Sequence, residues 1–178
     1  MPSRRGWIVV LALLAIVSAG AGLPYLIAGE DARRPPLEEH PTALTLPEGD
    51  TLESLQSVEV EEVLDGDTID VLIDGITTRV RYFGVDTPER GSACYREATD
   101  RNEMLVGDMV LLLPDVRTTD DFGRELRYVF LPDGTSVDAT LVAEGFGEAW
   151  RQDGRYRDEI VALEDEARAA GRGCLWAP

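Results

Sequence analysis

At 178 residues the chain has room for one domain of ordinary size and an appendage. Its 17 basic residues, every one an arginine, stand against 34 acidic ones for a formal charge of −17, so no broad basic face is available to grip a polyanion. The only histidine, His40, excludes His-rich metal centres and Ser-His or Cys-His catalytic pairs, and two cysteines are too few for a zinc site.

Residues 1–29 form the appendage. Arg4 and Arg5 precede an uncharged run from Trp7 to Ala28, and about 20 such residues suffice to cross a bilayer as a helix. Two readings share a direction. As a signal peptide, an apolar core from Ile8 to Val17 ends at the small residues Ser18 to Gly22 and is cleaved there. As a signal anchor, the run continues through Leu23, Tyr25 and Ile27, with the arginines held on the cytoplasmic side. The run outlasts a signal-peptide core, which favours the anchor, and the absence of a polar face argues against a buried core helix. Either way the remainder is extracytoplasmic: membrane-anchored by one span, or secreted.

Residues 30–56 read as a flexible, proline- and acid-rich spacer. Arg33-Arg34-Pro35-Pro36, Glu38-Glu39-His40-Pro41 and Leu46-Pro47-Glu48-Gly49-Asp50 show no sustained period.

From residue 57 to 178 the pattern is that of a β domain. Val58, Val60 and Val63-Leu64 predict a first strand and Thr68 to Ile73 a second; Asp74-Gly75 is a two-residue hairpin signal into a third, Ile76 to Val85. Tyr95, Ala98, Asn102 and Leu105 fall at helical spacing, with Gly107 as the stop. Met109 to Leu113 predicts a fourth strand and Arg124 to Leu131 a fifth. Ser136 caps a short helix from Val137 to Glu144. A last helix sets Ile160, Leu163, Ala167 and Ala170 on one face and ends at Gly171. This order predicts a mainly β, α+β domain: a five-stranded OB-type barrel with about three packed helices, preceded by the N-terminal hydrophobic helix.

Three polar clusters interrupt the strands. Arg81, Asp86 and Glu89 lie within nine residues where the third strand breaks at Pro88, so a strand turning at a proline can aim all three into one pocket. Asp65-Gly66-Asp67-Thr68 occupies the first turn. If the second and third strands pair, Asp67 and Asp86 lie side by side and present oxygen ligands without nitrogen or sulfur, the preference of a hard divalent cation such as calcium. Arg117 to Arg124, with Asp120, Asp121 and Gly123, leads into the fifth strand. Arginines beside a cation and a carboxylate suit a phosphodiester, because guanidinium forks pair with phosphate oxygens. Each cluster also has a plain reading: polar turns at the first two and exposed salt bridges for Arg81 and Arg124.

Taken together the motifs resemble the staphylococcal nuclease (thermonuclease) family from about Val58 to Trp176. The resemblance is carried by Val63-Leu64-Asp65-Gly66-Asp67-Thr68, by Arg81 to Glu89, by Thr119 to Arg124 with Leu126 and Tyr128, by Leu141 to Gly145 and by Gly173 to Trp176. It implies calcium held by Asp67, Asp86 and the main-chain carbonyl of Thr87, with Asp65 supporting Asp67. Glu89 is then expected to position or deprotonate the attacking water, and Arg81 and Arg124 to hold the phosphate. The implied reaction is cleavage of DNA and RNA at the 5′-oxygen, leaving 3′-phosphates. The family pattern often has a lysine and a tyrosine where this chain has Asp121 and Phe122, which weakens the grip on a terminal phosphate. Trp150 or Tyr156 is the candidate for stacking on a base.

Arg79, Arg81, Arg90, Arg96, Arg124 and Arg127 flank the expected site, while Glu159, Glu164, Asp165 and Glu166 of the last helix lie elsewhere. In an exported domain the lone pair Cys94 and Cys174 reads as a disulfide. Two functions follow: an exported calcium-dependent nuclease with no obligate protein partner, or a non-catalytic barrel that binds nucleic acid or protein at the membrane. Presence of the whole set Asp67, Arg81, Asp86, Glu89 and Arg124 favours the first.

Overall fold

The strongest local signal in the chain is also the most regular piece of the structure, a computed structural model that describes Thr42 and residues 44–178. Strands β2 (Thr68–Ile73) and β3 (Ile76–Tyr82) pair antiparallel from Ile73↔Ile76 to Thr68↔Arg81. Asp74 and Gly75 both take positive φ, 51° and 79°, the backbone that a two-residue turn needs to match strand twist. Before them β1 (Gln56–Val63) pairs with β2, and β5 (Met109–Thr119) lies on its other edge. β6 (Glu125–Phe130) pairs antiparallel with β5 and parallel with β3, which closes the barrel in the order β1-β2-β3-β6-β5. Closure leaves no free sheet edge.

Ile69, Val71, Val80, Tyr82, Val110, Leu112, Tyr128 and Phe130 fill the core and are all but completely buried. Helix α1 (Tyr95–Val106) is tied to the barrel through Asn102: the Tyr82 hydroxyl donates to its Oδ1 at 2.8 Å, and its Nδ2 donates to the Asp65 carbonyl at 2.9 Å. Core packing is thereby connected to the turn that carries Asp67. Helix α2 (Val137–Ala143) is buried along its whole length, and Ser136 caps it by accepting from the Ala139 amide. Helix α3 (Arg157–Ala170) packs on α2, and a single turn, α4 (Gly173–Trp176), follows. Cys94 and Cys174 form the expected disulfide, with Cα atoms 5.5 Å apart. No described helix is long and apolar enough to cross a membrane. The expected N-terminal span, and the spacer through Pro41 with His40, lie outside the described residues.

Several boundaries differ from expectation. The third strand ends at Tyr82, and Val85–Asp86 form a separate short strand, β4, paired with β7 (Glu148–Ala149). The break occurs at Gly84, whose amide leaves the ladder to donate to Asp138 Oδ1 at 2.7 Å. The fourth strand runs past Leu113 to Thr119, with the pairing to β6 shifting between Pro114 and Thr119. A proline that lacks an amide donor is tolerated beside such an irregularity in the pairing. The segment expected as spacer up to residue 56 packs on the domain from Leu44 onward, with Leu44, Leu46, Leu52 and Leu55 against the core. Glu164, one of the acids of the last helix, is fully buried: it accepts from the Ala149 amide and pairs with Arg151 and Arg168.

Asp138 is the second buried carboxylate of consequence. Its other oxygen accepts from the Val129 amide at 2.9 Å, so one side chain on α2 fixes both the β3–β4 break and β6. Burial raises its pKa from the ordinary 3.8 to about 6, against the pull of the two amides. A carboxyl raised in the folded state binds protons more tightly there, so its contribution favours the fold below about pH 4 and fades as pH rises through about 6. Asp138→Asn offers only one acceptor to two amides and should cost about 1–3 kcal/mol at neutral pH. The gap to the wild type should widen between pH 7 and about pH 4.5, since only the wild type gains a proton on the way down. Urea denaturation at the two pH values measures both.

Candidate active site

The β2–β3 register sets Arg81 opposite Thr68, beside Asp67 at the end of the β1–β2 turn. The turn can reach the loop after β4 only because residue 66 is glycine. A Cβ there would lie 2.6 Å from Thr87 Oγ1 and 2.9 Å from Ala98 Cβ. Across this contact Asp67 Oδ2 accepts from the Thr87 amide at 2.6 Å and from its hydroxyl at 2.7 Å. Asp67 Oδ1 accepts from Thr68 Oγ1 and faces Arg81 Nε at 3.0 Å. Asp65 Oδ1 in turn accepts from the Asp67 amide at 3.1 Å. Burial pushes the Asp67 carboxyl above the usual carboxylate range, with the Arg81 charge opposing it.

Arg81 is buried, and its guanidinium is largely committed. Nη1 donates to the carbonyls of Tyr82 and Val85, both at 2.6 Å, and Nη2 donates to Asp86 Oδ1 at 2.6 Å. Asp67 and Asp86 are therefore bridged by one guanidinium. Asp86 and Glu89 are exposed, whereas Thr87 is buried. Across the cleft Arg124 Nε donates to Asp120 Oδ2 at 2.6 Å, and Asp120 Oδ1 accepts from the Phe122 and Arg124 amides. This Asx-type closure, with Gly123 at φ 79°, turns the chain into β6.

Between these groups lies a cleft of about 140 Å³ whose lining includes Arg81, Phe83, Asp86, Glu89, Arg117, Asp120, Arg124 and Trp150. Three arginines meet three carboxylates there, so the cleft is locally balanced inside a strongly acidic chain. Arg117 forks onto Asp153 at 2.9 and 3.0 Å, and that fork holds the Asp153 carboxyl below its ordinary value. No group of three or more His, Cys, Asp or Glu side chains among the described residues is arranged to hold a metal ion. The donors that do gather, two carboxylates beside the Thr87 main chain, are all oxygen, which suits a hard cation.

Residues 79–178 match the family described as staphylococcal nuclease homologue. The chain is 37% identical over 131 residues to Protein ParB of Escherichia coli, covering 67% of this chain and 71% of that one. It is 35% identical over 128 residues to the micrococcal nuclease of Shigella flexneri, covering 67% and 72%. With the endonuclease YncB of Bacillus subtilis it shares 34% over 134 residues, which is 69% of this chain and 63% of the relative. This chain belongs to the staphylococcal nuclease family.

On this member of the family the structure brings Asp65, Asp67, Arg81, Asp86 and Thr87 into one hydrogen-bonded group, with Glu89, Arg124 and Trp150 around the adjoining cleft. It does not bring Tyr156 there. That ring is 4% exposed, packs edge-on against Tyr128 at 4.8 Å between centroids, and its hydroxyl donates to the Thr45 carbonyl, so Tyr156 is a core residue and not a stacking platform. Of the six arginines expected to flank the site, only Arg81 and Arg124 line the cleft; Arg79 pairs with Asp70 and Arg127 with Glu125. Arg117, Asp120 and Asp153 were given no role by sequence reading. Arg117 and Asp120 are placed by the continuation of β5 past Pro114, which no alternation marks, and Asp153 by the loop between β7 and α3.

The Gly66–Thr87 contact is the sharpest packing constraint at the site. Gly66→Ala should force the turn away from Thr87 and cost about 1–3 kcal/mol as an overpacked contact. Chemical denaturation should show the loss, together with reduced activity at temperatures where the variant is still folded.

Proposed function

We propose that this chain is an exported, calcium-dependent nuclease that hydrolyses DNA and RNA at the 5′-oxygen and leaves 3′-phosphates. The observation that carries the reading is the joining of Asp67, Arg81 and Asp86 through one buried guanidinium at the wall of a cleft that Glu89 and Arg124 also line. Relatives named as nucleases and endonucleases support it. The N-terminal apolar run supports export, by anchor or by cleavable signal.

In this reading the scissile phosphate sits in the cleft. Arg124, which gives only Nε to Asp120, has donors left for the phosphate oxygens, and Arg81 adds its fixed positive charge. Glu89 is exposed and takes the proton of the attacking water. The water oxygen bonds to phosphorus, the bond to the 5′-oxygen breaks, and the 5′-oxygen leaves as a hydroxyl after gaining a proton. Charge builds on the phosphoryl oxygens between the two guanidinium groups, where donors already in place stabilise it. Asp67, Asp86 and the Thr87 carbonyl would hold calcium, which supplies Lewis-acid polarisation of the phosphate when bound.

The full chain should cut labelled single-stranded DNA in calcium and stop in excess chelator. Glu89→Gln should reduce the rate by about 100-fold or more, in the range expected for losing a general base. The products should carry 3′-phosphate ends. A chain that cuts nothing in calcium across a range of salt and pH, while still binding the DNA, would instead be a non-catalytic binding module.

A further inference from the structure

Arg117 lies at the junction of two hollows. The cleft described above shares Phe83 and Arg117 with a second one of about 380 Å³, which continues over Val116, Gly154 and Arg155. The two hollows therefore meet at this guanidinium. Its carbon centre stands 5.0 Å from the Phe83 ring centroid and 5.7 Å from that of Trp150, over both rings. Asp153 fixes it there by accepting from Nε and Nη2, and the same carboxylate accepts from Trp150 Nε1 at 2.7 Å. Cation and indole are thus held as one unit.

The donor count separates the three cleft arginines. A guanidinium has five N–H donors. Arg81 points four of them at Asp67, Tyr82, Val85 and Asp86. Arg117 gives two to Asp153, which leaves three without a partner among the described residues. It is half-exposed, so those donors are reachable. Arg155, the other cation of the second hollow, pairs with Asp115, and the loop before Arg124 adds only acidic and apolar side chains, Asp121 and Phe122.

We propose that Arg117 binds the phosphate next to the scissile one and so selects a polynucleotide over a single-phosphodiester substrate, with Asp153 as its positioning residue. The proposal rests on the nuclease reading for its substrate but not for its test. Phe83 is buried beneath the guanidinium and supports it, while the half-buried Trp150 supplies an aromatic ring beside the charge, the pairing that binds nucleotides without reading sequence.

Binding of a fluorescent single-stranded oligonucleotide to the full chain, measured by anisotropy in calcium with Glu89→Gln present to prevent cutting, gives the first readout. Adding Arg117→Ala should weaken binding about tenfold and lower the salt slope of log affinity by about 0.7, the share of one single-strand phosphate contact. Arg117→Ala with Asp153→Asn keeps the local net charge and an acceptor for Trp150. It should bind as weakly as Arg117→Ala if the contact is direct, and as tightly as the parent if Arg117 contributes only general charge. Arg117→Lys should keep the salt slope and recover part of the affinity. With Glu89 intact, Arg117→Ala should raise KM on the oligonucleotide and leave kcat within about twofold. A dinucleoside monophosphate, which has only the scissile phosphate, should be cut equally by variant and wild type. Thermal melts identify any variant that fails to fold, and Arg117→Gln then replaces it.

Unchanged affinity and salt slope in the Arg117 variants would overturn the proposal whether or not the wild type cuts. Arg117-dependent binding by a chain that never cuts would sustain Arg117 as a backbone-phosphate contact and overturn the nuclease reading. A chain that binds no oligonucleotide overturns both.

Discussion

The site depends on one buried carboxylate being held by groups from both strands at the open end of the β2–β3 hairpin and from the loop after β4. Asp67 receives the Thr87 amide and hydroxyl, the Thr68 hydroxyl and the Arg81 guanidinium. Removing a charge from water without partners is prohibitive, so the turn, the end of β3 and the loop after β4 must come together for Asp67 to be buried at all. The active-site loop therefore owes its position less to its own sequence than to the charge it covers. Asp138 performs a similar task one layer deeper, where it joins the β3–β4 break to β6 through two amides.

Much of this was legible in the sequence, for physical reasons that differ by element. β2 and the Asp74-Gly75 hairpin show the two-residue alternation and the turn chemistry together, and their bounds match. Ser136 and the apolar run after it mark α2, and the order of strands and helices was enough for the barrel. β4 and β7, two residues each, are too short to have a period, and they exist only because Val85 and Ala149 find one another across the fold. Glu164 shows where a residue-type rule misleads. It lies four residues after Ile160 and three before Ala167, on the buried stripe, yet a glutamate in an acidic helix reads as solvated until Arg151 and Arg168 are seen beside it.

The candidate site divides in the same way. Asp67, Arg81, Asp86, Glu89 and Arg124 stand in motifs whose residue types announce their chemistry. Tyr156 was legible as an aromatic, but not as an aromatic with its hydroxyl satisfied at Thr45 inside the domain. Arg117 was visible as a letter at the head of a motif and silent as to place, since its neighbours come from two distant parts of the chain, Phe83 after β3 and Trp150 with Asp153 after β7. The overall charge of −17 is reconciled with a polyanionic ligand by local balance: acidic residues populate β1, α1 and α3, while the cleft has as many arginines as carboxylates.

Every cation in that cleft is a guanidinium. Arginine holds its proton past about pH 12, so alkali cannot discharge the basic side of the pocket as it would a lysine or a histidine. The other charged groups lining the cleft are carboxylates. The alkaline limb of any rate profile must then report the solvent nucleophile, the substrate or the integrity of the fold, and the pocket itself stays electrostatically constant from neutrality upward.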